Sequence, residues 1–239
     1  MRLAGNRGGG LSRRDLCGGV ANMDEVLKQL FEKADQRWLR HWLRGPTRIR
    51  WEKTPAQVGD TAPDVELVDS DGKPRRISDF WKEGPLHLFF LRHYGCSCMK
   101  QCWGQLREEY QKLRNAGAQL VAVGMGEPER TRIYIQVRQI PVPVLCDPEM
   151  RTYEAYGIIE GTPATILHDY EWVPGDEASG RKLMDSRRGT DLRLVDNPWI
   201  LPAEFIIDRQ GVIRYAYRYQ YCEDFPPTTG LLVAIRAAK

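Results

Sequence analysis

Three of the six cysteines cluster at Cys96, Cys98 and Cys102. An apolar run from Leu86 to Leu91 precedes them, Gly95 interrupts it, and a helical pattern follows, so they stand at a strand-to-helix junction. A thiol in the first turn of a helix lies near unpaired backbone N–H groups and the positive end of the helix dipole, which favour the thiolate. The cluster therefore indicates reactive sulfur, suited to redox chemistry or to metal binding.

Two basic residues, Arg92 and His93, precede the cluster. A nearby cation or hydrogen-bond donor lowers the pKa of a thiol, so both are candidate site residues. For Arg92, at the end of a strand, an ordinary solvent-facing side chain is the alternative.

The composition limits the possible functions. A chain of 239 residues with 42% hydrophobic content can bury one substantial core, which favours a single globular unit. The 35 basic and 32 acidic residues are interspersed and give a net charge of +3, which argues against a nucleic-acid partner. An apolar run long enough to span a membrane is missing, so we expect a soluble protein without a membrane partner. The cysteines do not form the regular framework of a small secreted scaffold, which favours a reducing, cytoplasmic location.

The first segments are predicted to lie outside the main domain. Residues 1–22 are expected to be a disordered tail or an extension upstream of a true start at Met23, and no apolar stretch of an export signal follows their arginine pair. Residues 23–52 carry the apolar stripe of an amphipathic helical arm. We expect this arm to pack on its own domain, with Trp38 and Trp42 in the core, or on a second copy in a homodimer.

Residues 53–239 alternate between strand and helix patterns, which predicts an α/β layered domain with a largely parallel central sheet that includes the strand Gln119–Gly124. Turn residues at Asp71-Gly72 and at Asp208-Arg-Gln-Gly211 predict two hairpins. Residues 158–199 fit this pattern least and are predicted to be an insertion that covers the active-site face or binds a partner. Cys146, at the end of an apolar strand, is expected to be a core residue.

Four motifs in this order resemble the peroxiredoxin-like (alkyl hydroperoxide reductase and thiol-specific antioxidant, AhpC/TSA) family of the thioredoxin superfamily. They are Val58-Gly-Asp-Thr-Ala-Pro63, the strand leading into Gly95-Cys96, Val144-Leu-Cys-Asp-Pro148 with Ala155-Tyr-Gly157, and Leu201-Pro-Ala-Glu-Phe-Ile-Ile-Asp208. The resemblance implies a thioredoxin-like three-layer α/β/α sandwich. It also implies that Cys96 is the reactive cysteine at the helix start and that Pro202 is a cis-proline facing it.

The sequence departs from this family at two positions. His93 stands where a peroxiredoxin has the threonine or serine that orients the peroxide, and Met99 stands where a thioredoxin has its second redox cysteine. Both usual arrangements are therefore missing, and the partner of Cys96 has to be an unconventional one.

The resemblance implies a thiol peroxidase or thiol-disulfide oxidoreductase that needs no cofactor. Its substrate would be a small-molecule peroxide or a protein or low-molecular-weight disulfide, and a thiol reductant such as thioredoxin or glutathione would regenerate it. Cys96 would attack, and Cys98 or Cys102 would resolve the product, with Cys222 as a more distant candidate. A disulfide between Cys96 and Cys98 is expected to be relatively oxidising, because such close neighbours depart from relaxed geometry.

Two other functions remain open at this stage. Cys98 and Cys102 resemble the Cys-x-x-x-Cys of copper chaperones in the same superfamily, in which case His168 is the downstream histidine that could complete the site. The cysteines could instead be buried and inert, which would make the chain a redox-inactive thioredoxin-like interaction module.

Overall fold

Seven strands form one mixed sheet in the computed structural model, which describes residues 13–96, 98–167, 175–188 and 196–239. The strands are β1 (Glu66–Asp69), β2 (Pro74–Arg76), β3 (Leu86–Phe90), β4 (Gln119–Gly124), β5 (Val144–Cys146), β6 (Ala203–Ile207) and β7 (Ile213–Arg218). They lie in the order β2-β1-β5-β4-β3-β6-β7. The helices are α1 (Arg13–Arg44), α2 (Ser78–Trp81), α3 (Cys98–Asn115), α4 (Pro128–Arg138), α5 (Arg151–Ala155), α6 (Pro163–Ile166), α7 (Glu177–Arg188) and α8 (Thr228–Ala237).

The sheet is parallel only in its middle. β3 pairs in parallel with β4, and β4 with β5, because α3 and α4 supply the crossovers that parallel neighbours need. The outer pairings β1–β2, β1–β5, β3–β6 and β6–β7 are antiparallel. The parallel middle and the antiparallel hairpins β1–β2 and β6–β7 agree with the sequence prediction. The hairpin β6–β7 closes through a tight turn, which a parallel pair cannot do.

Helices cover both faces of the sheet. Successive residues of β3 point to opposite faces, and Phe89 joins one buried apolar cluster while Phe90 joins the other. The first cluster includes Trp103 of α3 and Leu231 of α8, and the second includes Trp81 of α2. The fold is the thioredoxin-like α/β/α arrangement that the sequence predicts.

The N-terminal helix packs on the domain rather than standing apart from it. Trp38 and Trp42 are buried, and their indole N–H groups donate to the carbonyls of Gly180 (3.4 Å) and Asp176 (2.8 Å) at α7. Trp42 also stacks on Trp199, with ring centroids 5.3 Å apart. The expectation that these tryptophans are core residues is confirmed. The helix ends where Gly45 takes a positive φ of 73°, a conformation that glycine adopts without strain.

A buried ion-pair network ties α1 to the start of α4. Arg130 is fully buried and donates to Glu127 (2.6 Å) and Asp196 (2.7 Å). Arg37 of α1 joins the same two carboxylates at 2.8 and 3.3 Å. Burial alone would raise the pKa of Glu127, but the charges of Arg130 and Arg37 together lower it. The arm is therefore fixed to the domain by charge as well as by aromatic packing.

Within the described residues, none of the helices combines the length and the apolar character needed to cross a membrane.

Candidate active site

Cys96 and Cys98 form a disulfide at the junction between β3 and α3, with Cα atoms 5.4 Å apart. The backbone N–H of Cys96 donates to the carbonyl of His93 (3.0 Å), which closes a turn after the strand. The structure thus selects Cys98, of the candidate partners, as the one paired with Cys96. Helix α3 begins at Cys98, so Cys96 lies just before the helix and not at its start.

The buried guanidinium of Arg92 lies against this disulfide. Its Nη1 donates to Cys96 Sγ at 3.0 Å and is 3.9 Å from Cys98 Sγ. Its Nε donates to the carbonyl of Ile200 (2.8 Å), and its Nη2 donates to that of Pro198 (2.5 Å). The structure places Arg92 beside the sulfurs and not in a solvent-facing position, since the residue is only 3% exposed. Arginine keeps its charge even when buried, so the reduced thiols would meet a fixed positive charge.

The segment that carries the two carbonyls is itself held in place. The Asn197 side chain accepts from the backbone N–H of Trp199 (2.9 Å) and donates to the buried carboxylate of Glu160 (2.7 Å). The backbone N–H of Gly161 donates to the carbonyl of Trp199 (2.8 Å), and Glu160 forms an isolated antiparallel bridge with Ile200. Glu160 and Asn197 therefore fix the acceptors that orient Arg92. Sequence reasoning missed both residues, and the only signal for them was the turn-forming Asn197-Pro198 pair inside the insertion.

His93 is buried next to the N-terminal helix. Its ring meets Trp38 edge-on, with centroids 4.9 Å apart. The aromatic arm thus reaches the junction that carries the cysteines. The role of His93 in lowering a thiol pKa stays a prediction.

Cys102 lies one helical turn beyond Cys98 and has a different environment. It is buried and lines a groove with His87 and Glu204, which are joined by a hydrogen bond of 2.7 Å. Burial, reinforced by the negative charge of Glu204, raises the pKa of the Cys102 thiol well above its usual range. A thiol in this state is a poor nucleophile at neutral pH.

Pro202 and two further cysteines, Cys146 and Cys222, were also considered in the sequence, and the structure gives the surroundings of each. Pro202 has a trans peptide bond, because no cis peptide occurs in the described chain, so the cis-proline expectation is wrong. Cys222 is buried, with its sulfur 4.0 Å from the carbonyl oxygens of Thr165 and Ile166. Cys146 bonds to Thr131, and burial raises its thiol pKa to about 11, which confirms it as a core residue.

The copper hypothesis rests partly on His168, which lies outside the described residues. Among the residues that are described, no group of three or more histidine, cysteine or acidic side chains is placed to hold a metal ion. Cys98, one of the two proposed ligands, is engaged with Cys96 instead.

Several curated proteins are similar to this chain over about half of its length. The chloroplastic thioredoxin-like protein AAED1 of Arabidopsis thaliana is 27% identical over 109 residues, which cover 46% of this chain and 44% of the relative. The thiol-disulfide oxidoreductase ResA of Geobacillus thermodenitrificans is 31% identical over 122 residues, or 49% of this chain and 67% of ResA. The peroxiredoxin Bcp of Escherichia coli is 26% identical over 104 residues, or 44% of this chain and 66% of Bcp. The matched region thus spans less than half of the plant relative and about two thirds of the two bacterial ones.

Solved structures show the same fold. The peroxidoxin BcpB of Mycobacterium tuberculosis superposes with a TM-score of 0.55 at 20% identity, covering 77% of this chain and 99% of that one. The family match itself is to AhpC/TSA and extends over residues 58–216, which include the whole β3–α3 junction and the sheet around it. With the fold, the junction cysteines and this extent of the match in agreement, the chain belongs to the AhpC/TSA family.

Proposed function

We propose that this protein reduces a peroxide or a disulfide through Cys96, with Cys98 as the resolving thiol. The observation that carries the proposal is the contact of 3.0 Å between the buried Arg92 guanidinium and Cys96 Sγ, in a pair of cysteines that bond to each other. The names of two relatives, a peroxiredoxin and a thiol-disulfide oxidoreductase, support the two substrate classes.

Two effects compete to decide which sulfur attacks. The start of α3 at Cys98 offers that thiol the helix dipole, equivalent to about half a positive charge. Arg92 offers Cys96 a full charge at 3.0 Å, against 3.9 Å for Cys98. The charge of Arg92 acts on both sulfurs, but only the Cys96 contact has the length of a strong charge-assisted hydrogen bond, and on that contact we assign the attacking thiolate to Cys96.

With a peroxide as substrate, the Cys96 thiolate attacks one peroxide oxygen. A sulfur–oxygen bond forms, the oxygen–oxygen bond breaks, and the leaving alkoxide or hydroxide takes a proton, so that sulfur is oxidised by two electrons to the sulfenic acid. The Cys98 thiol then attacks the Cys96 sulfur, a disulfide forms, and water leaves. With a disulfide as substrate, the same thiolate forms a mixed disulfide that Cys98 resolves, releasing the second thiol of the substrate.

The cycle closes when an external thiol reductant supplies two electrons to the Cys96–Cys98 disulfide. Thioredoxin-type dithiols and glutathione are the two classes of reductant that we propose. The missing hydroxyl at His93 leaves peroxide orientation to other groups, and the Arg92 guanidinium is the donor nearest to the sulfur that would be attacked.

The test is to mix the fully reduced protein with one equivalent of hydrogen peroxide, or of a small aromatic disulfide, and to follow thiol loss by stopped flow. Peptide mapping by mass spectrometry should then find the Cys96–Cys98 disulfide. Cys96→Ser should abolish the fast phase, and Cys146→Ser, a matched change of a core thiol, should retain it. A Cys96→Ser protein that reacts as fast as the wild type would refute the proposal.

A further inference from the structure

A basic cleft lies where the C-terminal end of α1 meets the loop before α5. Its volume is 650 Å³, and it is separate from the thiols. Five cationic or titratable side chains line it from the α1 end, namely Arg37, Arg40, His41, Arg44 and Arg48. Two carboxylates, Glu149 and Glu160, line it as well.

One of the two carboxylates at this cleft is already engaged in hydrogen bonds. Glu160 accepts from the backbone N–H groups of Thr47 (2.6 Å) and Arg48 (3.2 Å) and from the Asn197 amide (2.7 Å). Arg37 is the one arginine of the five side chains that has carboxylate partners in the described structure, and those partners belong to the α4 network. Within the described residues, Arg40, Arg44 and Arg48 have no carboxylate at ion-pair distance. The charge of Arg48 is near enough to Glu160 to interact with it, and the four arginines outnumber the two carboxylates of the lining.

The cleft is held in shape by the backbone. The backbone carbonyl of Arg48 accepts from the backbone N–H of Glu160 (2.8 Å), and the backbone N–H of Arg48 donates to the Glu160 carboxylate. Glu160 therefore bonds to both backbone groups of Arg48. The carbonyl of His41 accepts from the Trp199 indole N–H (2.7 Å). These bonds fix the points from which the arginines extend, so a ligand would not have to order the backbone on binding.

We propose that this cleft binds a small-molecule anion that carries at least two negative charges on phosphate or carboxylate groups. The planar guanidinium of arginine can pair with a phosphate or a carboxylate through two parallel N–H···O bonds. Several arginines that line one concave surface therefore suit an anion with more than one such group. The dipole of α1 attracts cations to its last turn and accounts for Arg44 in part. Arg48 lies beyond the helix end, where that dipole no longer provides a reason for a cation.

The pKa of His41 is sensitive to the positive charges around the cleft. Burial lowers its pKa, and the charges of Arg44, Arg40 and Arg48 lower it further, against an opposing effect of Glu160. Arg44 Nη2 lies 3.1 Å from His41 Nδ1, and since arginine can only donate, this ring nitrogen is the acceptor of a neutral imidazole. A bound anion would offset the arginines and raise the pKa of His41.

The experiment is calorimetric titration of the full chain with pyrophosphate and, separately, with citrate, at an ionic strength held constant with sodium chloride. We expect saturable binding of at least one probe, and the tighter probe identifies phosphate or carboxylate as the preferred group. Arg40→Gln/Arg44→Gln should weaken binding by about tenfold or more, because charge-assisted hydrogen bonds are lost. Arg48→Gln alone should weaken it independently.

The control is Arg50→Gln/Lys53→Gln. It also removes two positive charges, but from residues that line the neighbouring groove and not the cleft. It should bind like the wild type. Proton NMR of the His41 ring should show its pKa rising with the bound probe but not with sodium chloride at the same ionic strength. The proposal is overturned if neither probe saturates the wild type, or if the control loses as much affinity as the cleft variants.

Discussion

Replacing Arg92 by methionine is the sharpest test of how the candidate site works. Methionine keeps most of the length and volume of the buried side chain but removes its charge. The Arg92 Nη1 atom lies 3.0 Å from Cys96 Sγ in the disulfide form, so we expect the guanidinium to contact the proposed attacking thiol in the reduced protein. We expect Arg92→Met to raise the pKa of the Cys96 thiol.

The size of the effect follows from the distance. At an effective dielectric constant of about 20, unit charges at this separation interact by about 5 kcal/mol. Desolvation of both groups offsets much of that energy, and an adjacent opposite charge typically shifts a pKa by about 1–3 units, each worth about 1.36 kcal/mol. A thiolate becomes more nucleophilic as its pKa rises, with a Brønsted coefficient of about 0.4–0.5. Below both pKa values, the net loss of reaction rate is therefore about 3- to 60-fold.

The assay is the rate of iodoacetamide alkylation of the reduced protein across a pH series, with Cys96 quantified by peptide mass spectrometry. Arg92→Met should move the midpoint of the rate–pH curve upward. Arg92→Lys is the matched control, since it keeps a charge but lacks the fork that reaches both backbone carbonyls, and it should give a smaller shift.

The variant also leaves the carbonyls of Pro198 and Ile200 without their donor, so its folding must be checked by thermal unfolding monitored by circular dichroism. If Arg92→Met is folded and its alkylation midpoint equals that of the wild type, the guanidinium does not activate Cys96, and the reasoning fails.

Four further predictions follow from the thiol site and from the ion-pair network of α1 and α4. Cys98→Ser should react with peroxide once and stop at the Cys96 sulfenic acid, seen as one added oxygen by intact mass, and a full second step would contradict the assignment of Cys98 as resolving thiol. Cys102→Ser should still form the Cys96–Cys98 disulfide at the wild-type rate in stopped flow, because burial raises the pKa of the Cys102 thiol, and loss of the disulfide would show that Cys102 takes part. Arg130→Met should lower the free energy of unfolding by about 3 kcal/mol in urea titrations, the lower end for a broken buried ion pair, because Arg37 remains as the partner of Glu127 and Asp196; a loss below about 1 kcal/mol would show that the network is dispensable. The pKa of Glu127 is lowered in the fold, so its contribution to wild-type stability should be complete above pH 4.5, the ordinary glutamate value, and decline below it, which urea titrations over a pH series would measure.

Much of the fold was accessible from the sequence because the patterns that encode it are local. The strand Gln119–Gly124, the hairpin around Asp71-Gly72 and the helix after the cysteine cluster all have their predicted places. The antiparallel directions of the β1–β5 and β3–β6 pairs were not accessible, because period-two patterning is the same for parallel and antiparallel neighbours. The spacing of Cys98 and Cys102, four residues apart on one helix, likewise does not show which of the two forms a disulfide with Cys96.

The sequence could predict the reactive side chains of the candidate site but not the backbone groups that orient them. The cysteine cluster and Arg92 are residue types whose chemistry can be read from the sequence. The groups that orient Arg92 are backbone carbonyls more than a hundred residues away, at Pro198 and Ile200. A carbonyl carries no residue signature, so neither composition nor spacing could have identified these two acceptors. Pro198 lies in the segment 158–199 that the sequence predicts as an insertion, and Ile200 follows that segment directly, while the role of the insertion stays a prediction.

The buried charge of Arg92 has opposite consequences for the two halves of the proposed cycle. A buried guanidinium is costly unless it is hydrogen-bonded and paired. Its two carbonyl partners are present in both redox states, but the Cys96 thiolate offers a negative charge that the disulfide does not. The contact at 3.0 Å therefore stabilises the reduced state relative to the oxidised one, which raises the reduction potential of the pair. One side chain thus makes the thiol more reactive toward the substrate and makes the resulting disulfide easier for an external thiol to reduce, while Glu160 and Asn197 keep that side chain in place during both steps.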